Sequence, residues 1–289
     1  MESIVLYDKR LAMKSKTTML SGIFLSTCLI VLSQNADPDE MMQGVNFIQT
    51  SWYTEAEDLK LLALFDGLRV ADVSDGMDMA GLPDQGLVDP AIHPSWENHQ
   101  TMSHVVRGIA LTARYVPTQK SNRPKPEEDF TAWEGNFYST YSSEAFVPMI
   151  HKGVIIVIDD VEEKDIGSIG SNNILVWKER GAVGVVTDAS SRDTDEVALE
   201  EVPLYLREKG RGIRPGRNEL ESVNRPLSIG GVLVCPGDVV VADGDGVIVV
   251  PRKVAVEVAG YAQEVLTKDK AGRRNLYERL GIPPDQTVK

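Results

Sequence analysis

The stretch GSIGSNNILVWKERGAVGVVTDASSRDTDE, from Gly167 to Glu196, decides the fold class. Ser171 to Arg180 reads as a helix closed by Gly181, and Val183 to Thr187 follows as a β-prone run. Upstream, Val154 to Ile158 is a nearly unbroken apolar run, the pattern of a strand buried on both faces. Strand, helix, strand in that order predicts a βαβ-like unit and an α/β class, in which loops after strand ends carry chemistry.

Two features of the stretch sit where that chemistry would be. Gly170, Ser171, Asn172 and Asn173 open the helix, where unpaired N–H groups and the dipole favour an anion such as a substrate carboxylate. Ser191-Arg192-Asp193 lies just past the second strand and brings a permanent cation and a carboxylate towards the same crevice. A carbon–carbon cleavage that yields pyruvate must stabilise negative charge on a carbonyl oxygen, and a metal plus an arginine does so directly. On this reading Asp193 holds Mg2+ or Mn2+, since a hard ion that keeps several waters can make do with one carboxylate. Arg192, planar and always charged, binds the oxygens of a small 2-oxo acid. Asp188, Asp195 and Glu196 would hold metal-bound waters or orient Arg192. The residues alone leave a blander alternative open: an Arg-Asp pair in an acidic chain is often a solvated ion pair, and Gly, Ser and Asn often only cap a helix.

On the N-terminal side, Thr54 and Glu57 form a capping-box pattern ahead of Leu59, Leu62, Ala63 and Phe65, with Gly67 as a stop. A second helix is expected over Val70 to Met79 and a strand over Val105 to Val116. Pro117 to Pro148, rich in Pro, Ser, charge and aromatics, reads as a long irregular insertion, either a lid or a surface loop. Towards the C-terminus, Val232–Val234, Val239–Val241 and Val247–Val250 are separated by turn residues and read as a three-stranded meander. A helix from Val254 to Leu266 and a tail helix near Arg273 to Leu280, packing on a neighbouring subunit, complete the expectation. His93, His99, His104 and His151 lack metal-ligand spacing and read as surface or packing residues. Asp243 and Asp245 read as turn formers, and Trp177 as core or interface.

The 289 residues carry 30 basic and 43 acidic side chains, a net charge of −13 that would repel phosphates, so nucleic acid is not an expected partner. Cys28 and Cys235 belong to no paired or Cys/His pattern, which argues against a disulfide framework and a structural zinc site. Lys9, Arg10, Lys14 and Lys16 precede an apolar run from Met19 to Leu32, and Val31-Leu32-Ser33 suits cleavage. This layout predicts a signal peptide over residues 1–33, a linker over 34–51, and export to a periplasmic location. The apolar run is shorter than the ~20 residues that span a bilayer. Thr27 ahead of Cys28 is unusual for a lipoprotein, which ranks that form of export below simple secretion.

Beyond these local readings, the segment from Gly170 to Glu196 resembles the signature of the RraA-like proteins, which include 4-hydroxy-4-methyl-2-oxoglutarate aldolases and regulators of ribonuclease E activity. Val70-Ala71-Asp72-Val73-Ser74-Asp75-Gly76 resembles that family's N-terminal helix motif. Gly230-Gly231-Val232, Pro236-Gly237-Asp238 and Ala242 to Val247 resemble its C-terminal strands. The resemblance implies a swivelling β/β/α sandwich over residues 52–266, assembled as trimers or hexamers with the active site between subunits. It implies substrate binding by Gly170, Ser171, Asn172, Asn173 and Arg192, enolate stabilisation by Arg192, and Mg2+ or Mn2+ at Asp193. The activity implied is class II aldol cleavage of a 4-hydroxy-2-oxo acid to pyruvate, with oxaloacetate decarboxylation through the same enolate. Where such aldolases commonly have an acidic residue, this chain has Ser171, so the general acid/base is left open. The alternative is a non-catalytic regulator of a ribonuclease, a cytoplasmic partner that an exported chain would not meet. A methyltransferase reading finds no Gly-rich nucleotide loop after a first strand.

Overall fold

In the computed structural model the described residues are 47–161 and 165–289; the predicted signal peptide and most of the predicted linker lie outside them. The chain runs through helices α1 (Glu55–Leu62) and α2 (Val70–Met79), strands β1 (His93–Pro94) and β2 (Val106–Pro117), then α3 (Phe130–Thr140) and β3 (Val154–Asp159). Next come α4 (Ser171–Glu179), β4 (Gly184–Thr187), β5 (Ser190–Ser191), α5 (Thr194–Leu199), β6 (Leu204–Leu206), β7 (Glu208–Lys209) and β8 (Asn218–Val223). Strands β9 (Leu227–Ile229), β10 (Val232–Val234), β11 (Val239–Asp243) and β12 (Gly246–Val250) lead into α6 (Ala255–Leu280).

Eight strands form one mixed sheet in the order β1-β6-β4-β3-β2-β11-β12, with β8 also paired to β2. β2 has 12 residues and serves three neighbours. β3 runs parallel along one edge, while β11 and then β8 run antiparallel along the other. Alternation along the strands divides the core. Val154, Ile156 and Ile158 face α4 and α5 with Ile174, Trp177 and Val197. Ile155 and Val157 face the opposite layer, with Leu227, Ile229, Val232 and Val234 of the β9–β10 ribbon. Helices α1, α2 and α6 cover the β11–β12 half through Leu61, Val73 and Val258, with Phe65 from the link between the first two. Helices on one face and a small sheet on the other make the expected β/β/α sandwich.

Local chemistry explains the ends. The predicted capping box is present: Glu57 N donates to Thr54 Oγ1 at 3.3 Å and Thr54 N to Glu57 at 2.8 Å. The helix it starts is shorter than the spacing predicts, giving way after Leu62 to a 3₁₀ turn over Ala63–Phe65. Helix α2 has the predicted bounds, and two acids hold its start. Asp72 accepts Arg69 N at 2.9 Å, and Asp243 accepts Val70 N at 2.8 Å while its other oxygen accepts Asp245 N in the β11–β12 turn. At Gly76 a Cβ would lie 2.7 Å from the Val258 carbonyl, so glycine permits the contact of α2 with α6.

Three expectations are corrected. The C-terminal strands are not one meander: β11 pairs with β12 and β2, while β10 pairs back onto β9. Gly230 and Gly231, with φ of 49° and 82°, supply the two left-handed residues of a tight hairpin and close β10 onto the strand before it. The insertion is not irregular throughout, because Asp129 caps α3 by accepting Ala132 N at 3.0 Å. The final helix does not break after Leu266; it continues to Leu280 and ends at Gly281 in the left-handed conformation, φ 67°. Its last turns are covered by the chain's own C-terminus, where Arg274 Nε donates to the Val288 carbonyl at 3.0 Å and Val288 is fully buried.

Candidate active site

The loop between β3 and α4 lies against β5. Ser190 Oγ donates to the Ile166 carbonyl at 2.7 Å, while Ser191 Oγ and Arg192 N donate to the Ile169 carbonyl at 2.8 and 2.9 Å. This brings Gly167 beneath the Arg192 stem, where a Cβ would lie 2.6 Å from Arg192 Cβ, and Gly170 against Asp193, where it would lie 2.8 Å from Oδ2. Asp193 adopts the left-handed conformation, φ 57° and ψ 35°, which Asp tolerates better than most residues. An extended chain would send consecutive side chains to opposite faces. Here Arg192 Nε lies 3.8 Å from Asp193 Oδ2, with both side chains 38% exposed.

A pocket of about 600 Å³ opens beside this pair, lined by Gly167, Gly170, Asn173 and Arg192 on one side. The insertion supplies the opposite wall through Glu134 and Tyr138 of α3. Helical spacing stacks Phe130, Trp133, Phe137 and Tyr141 in a chain of rings 5.2–5.8 Å apart. Trp133 and Phe137 are buried, which anchors α3 and leaves Tyr138 facing the pocket. Burial pushes the Tyr138 phenol above its ordinary value, against the pull of Arg214 and Arg192, so it stays protonated near neutral pH.

The floor is a buried polar network that sequence reading missed. Arg214, 2% exposed, donates through Nε to the Ser168 carbonyl at 2.7 Å. Its terminal nitrogens donate to Tyr115 Oη and the Ser142 carbonyl at 3.2 Å and to Glu144 at 2.8 Å. Glu144 also accepts from Trp177 Nε1 at 3.0 Å and from Asn173 Nδ2. Alongside, Asp160 accepts from Ser168 Oγ and, at 2.7 Å, from Asn218 Nδ2. The network therefore holds the 167–170 loop from below. Nothing local marks Glu144 or Arg214, which meet across 70 residues of chain; the only sequence signal was the length and aromatic content of the insertion.

Of the predicted site residues, Gly170, Asn173 and Arg192 line the pocket. Ser171 acts through its backbone, whose N–H donates to Asp193 Oδ2 at 3.3 Å, so the helix N-terminus receives a carboxylate of the chain itself. Asn172 is exposed and away from the pocket lining. Asp188 is buried and its carboxylate accepts the Asp160 N–H at 3.3 Å, while Asp195 lines a separate groove with Glu97 and His99. Trp177 is core, as expected, and it steadies Glu144.

Asp193 Oδ1 has no hydrogen-bond partner among the described residues. One carboxylate with a free oxygen fits a hard cation that keeps most of its water, and does not fit an ion that needs three protein ligands. Three donor groups meet elsewhere: Glu97, His99 and His104 bring ligand atoms within 4.8 Å of one another, a juxtaposition their spacing did not suggest. His104 is buried there, and its Nδ1 accepts the Asn98 N–H at 3.1 Å, which puts the neutral ring's proton on Nε2. Binding a cation through either ring nitrogen would sacrifice that bond.

Comparison with known proteins gives these features a context. The RraA-like family, described as Aldolase/RraA, matches residues 70–249. Protein DlpA of Legionella pneumophila is 26% identical over 190 residues, which is 65% of this chain and 27% of that protein. The 4-hydroxy-4-methyl-2-oxoglutarate aldolase of Thermus thermophilus is 32% identical over 104 residues, 35% of this chain and 60% of the relative. The chain thus spans less than two thirds of either relative's length. A solved structure of an uncharacterized Pseudomonas syringae protein superimposes with a TM-score of 0.61 at 25% identity, covering 83% of this chain and 96% of that one. With the helix motif, the Arg192–Asp193 loop and the C-terminal strands all inside the matched region, the chain belongs to the RraA-like family.

Proposed function

We propose that this chain is a divalent-metal-dependent carbon–carbon lyase that releases pyruvate from a small 4-hydroxy-2-oxo acid. The observation that carries the reading is the pairing of Arg192 and Asp193 against the 167–170 loop at the edge of the pocket. The aldolase name of the Thermus thermophilus relative supports the same class. In the reaction the 4-hydroxyl loses its proton and the C3–C4 bond breaks. The electron pair moves to the ketone oxygen as an enolate, and protonation at C3 gives pyruvate beside an aldehyde or ketone. The Arg192 guanidinium binds the substrate oxygens and stabilises the enolate. The first-turn amide of α4 at Asn173, a residue that lines the pocket, receives the substrate carboxylate. Asp193 would hold Mg2+ or Mn2+, which when bound supplies Lewis-acid stabilisation of the same oxygen. Oxaloacetate, which decarboxylates to the same enolate, is a second substrate on this reading.

The proposal includes a homotrimer or hexamer and an exported, periplasmic chain with its signal removed. Pyruvate release from a panel of 4-hydroxy-2-oxo acids, after EDTA treatment and readdition of Mg2+ or Mn2+, tests the chemistry. Turnover only with metal is expected, and no turnover with metal demonstrably bound would refute it. Light scattering tests the assembly, and mass spectrometry of the mature N-terminus tests export.

A further inference from the structure

The Arg192 pocket lies past the C-terminal ends of the parallel strands β3 and β4. Another cavity, of about 470 Å³, opens at the opposite end of the sheet, where Arg107 stands at the start of β2. Its walls include Leu266 and Lys270 of α6 and the C-terminal tail at Gln286, which is tied down where Gln286 Nε2 donates to the Gln100 carbonyl at 3.1 Å. Arg107 Nε donates to the Leu68 carbonyl at 2.7 Å, while its terminal nitrogens meet no acceptor among the described residues. Burial lowers the Arg107 pKa from its ordinary value, and the carboxylates of Asp66, Asp243 and Asp72 offset only part of that. His104 is buried at the same cavity, and with Nδ1 taken by the Asn98 N–H its ring proton sits on Nε2, also without an acceptor among those residues. The Glu97 carboxylate close by pairs with His99 at 3.1 Å. Lys270, half-buried, adds an ammonium with no ion pair among the described residues.

Donors in want of acceptors at a cavity suit an oxyanion, and a planar guanidinium fork matches a carboxylate. The same donors explain why His104 is poorly suited to a cation, since the nitrogen it would offer carries a proton. The remaining walls narrow the ligand further. Met102, Val105 and Leu266 present apolar surface to the body of a small molecule. Asp243 and Asp245 also line the cavity. Both Asp243 oxygens are spent on the N–H groups of Val70 and Asp245, and the Asp245 side chain is exposed. A single negative charge at the Arg107 end stays clear of them better than a second one further along. We infer that this cavity binds a monocarboxylate with an apolar body, of the fatty-acid or aryl-acid class. The carboxylate sits on Arg107 and His104, and the body lies against Met102, Val105 and Leu266. This site is separate from the Arg192 pocket and does not depend on the lyase reading.

The test is calorimetric titration of the full chain, in the assembly it adopts in solution, with butyrate, hexanoate, octanoate and hexanol. Hexanoate is expected to bind with a Kd of about 1 mM or tighter, and hexanol at least roughly tenfold more weakly. Affinity should rise about twofold or more for each methylene from butyrate to octanoate. Arg107→Gln is expected to weaken hexanoate roughly tenfold or more. Lys270→Glu should weaken it about threefold and Asp245→Asn tighten it by about the same factor, while Arg192→Ala leaves it unchanged. No binding at about 10 mM hexanoate, equal binding of hexanol, or a flat dependence on chain length overturns the inference. So does loss of binding in Arg192→Ala, or unchanged affinity in a folded Arg107→Gln. Should Arg107→Gln not fold, the opposite shifts in Lys270→Glu and Asp245→Asn decide, and their absence overturns the assignment.

Discussion

Gly170→Ala separates the position of Asp193 from the stability of the fold. Gly170 has φ −119° and ψ 165°, extended backbone that alanine adopts without strain. Its new Cβ would lie 2.8 Å from Asp193 Oδ2, well inside the 3.4 Å at which ordinary contact begins. The atom it meets is the end of a half-exposed side chain, so the carboxylate retreats by about half an ångström at little energetic cost. Alanine is a poorer helix N-cap than glycine, and it lowers the entropy of the unfolded chain; each effect is worth up to about 1 kcal/mol and they oppose each other. Thermal stability should therefore stay near wild type. Catalysis is less forgiving. Since a misplacement of ~1 Å can cost ~10²-fold, half that distance is expected to lower kcat/KM about tenfold, roughly 1.4 kcal/mol of transition-state stabilisation. Pyruvate release coupled to NADH oxidation by lactate dehydrogenase, measured across a Mg2+ titration, reads both the rate and the metal requirement. Wild-type kcat/KM with an unchanged Mg2+ requirement in a folded variant would refute the assignment of Asp193 to the metal.

Other outcomes follow from the same geometry. Arg192→Lys keeps the charge and loses the planar donor fork, and is expected to lower kcat/KM roughly 10²-fold with unchanged melting temperature. Arg214→Met leaves Glu144 and two carbonyls without their buried donor, and urea denaturation should show a loss of about 3–5 kcal/mol. Asp89, where Ala91 N–H and Arg207 hold the carboxyl below its ordinary value of 3.8, contributes stability that is present above that value and lost as pH falls through the lower folded one. Asp89→Asn should therefore lower the melting temperature at pH 6, and the difference from wild type should shrink as the pH is taken below 3.8.

The residues themselves determined what depends on neighbours within a turn. The Thr54–Glu57 box, the bounds of α2 and the β3–α4–β4 unit follow from spacing and capping over three or four residues, so they could be read without the fold. The charged pair at Arg192–Asp193 was also visible as a pair. Tertiary structure alone decided whether those two side chains share a face, because the left-handed turn at Asp193 is set by the packing of β5 against the 166–169 loop. It alone joined Glu144 to Arg214 and made the insertion a pocket wall. Those contacts link residues whose separation along the chain carries no periodic signal. Their energy comes from burial and from hydrogen bonds that exist only once distant segments have met.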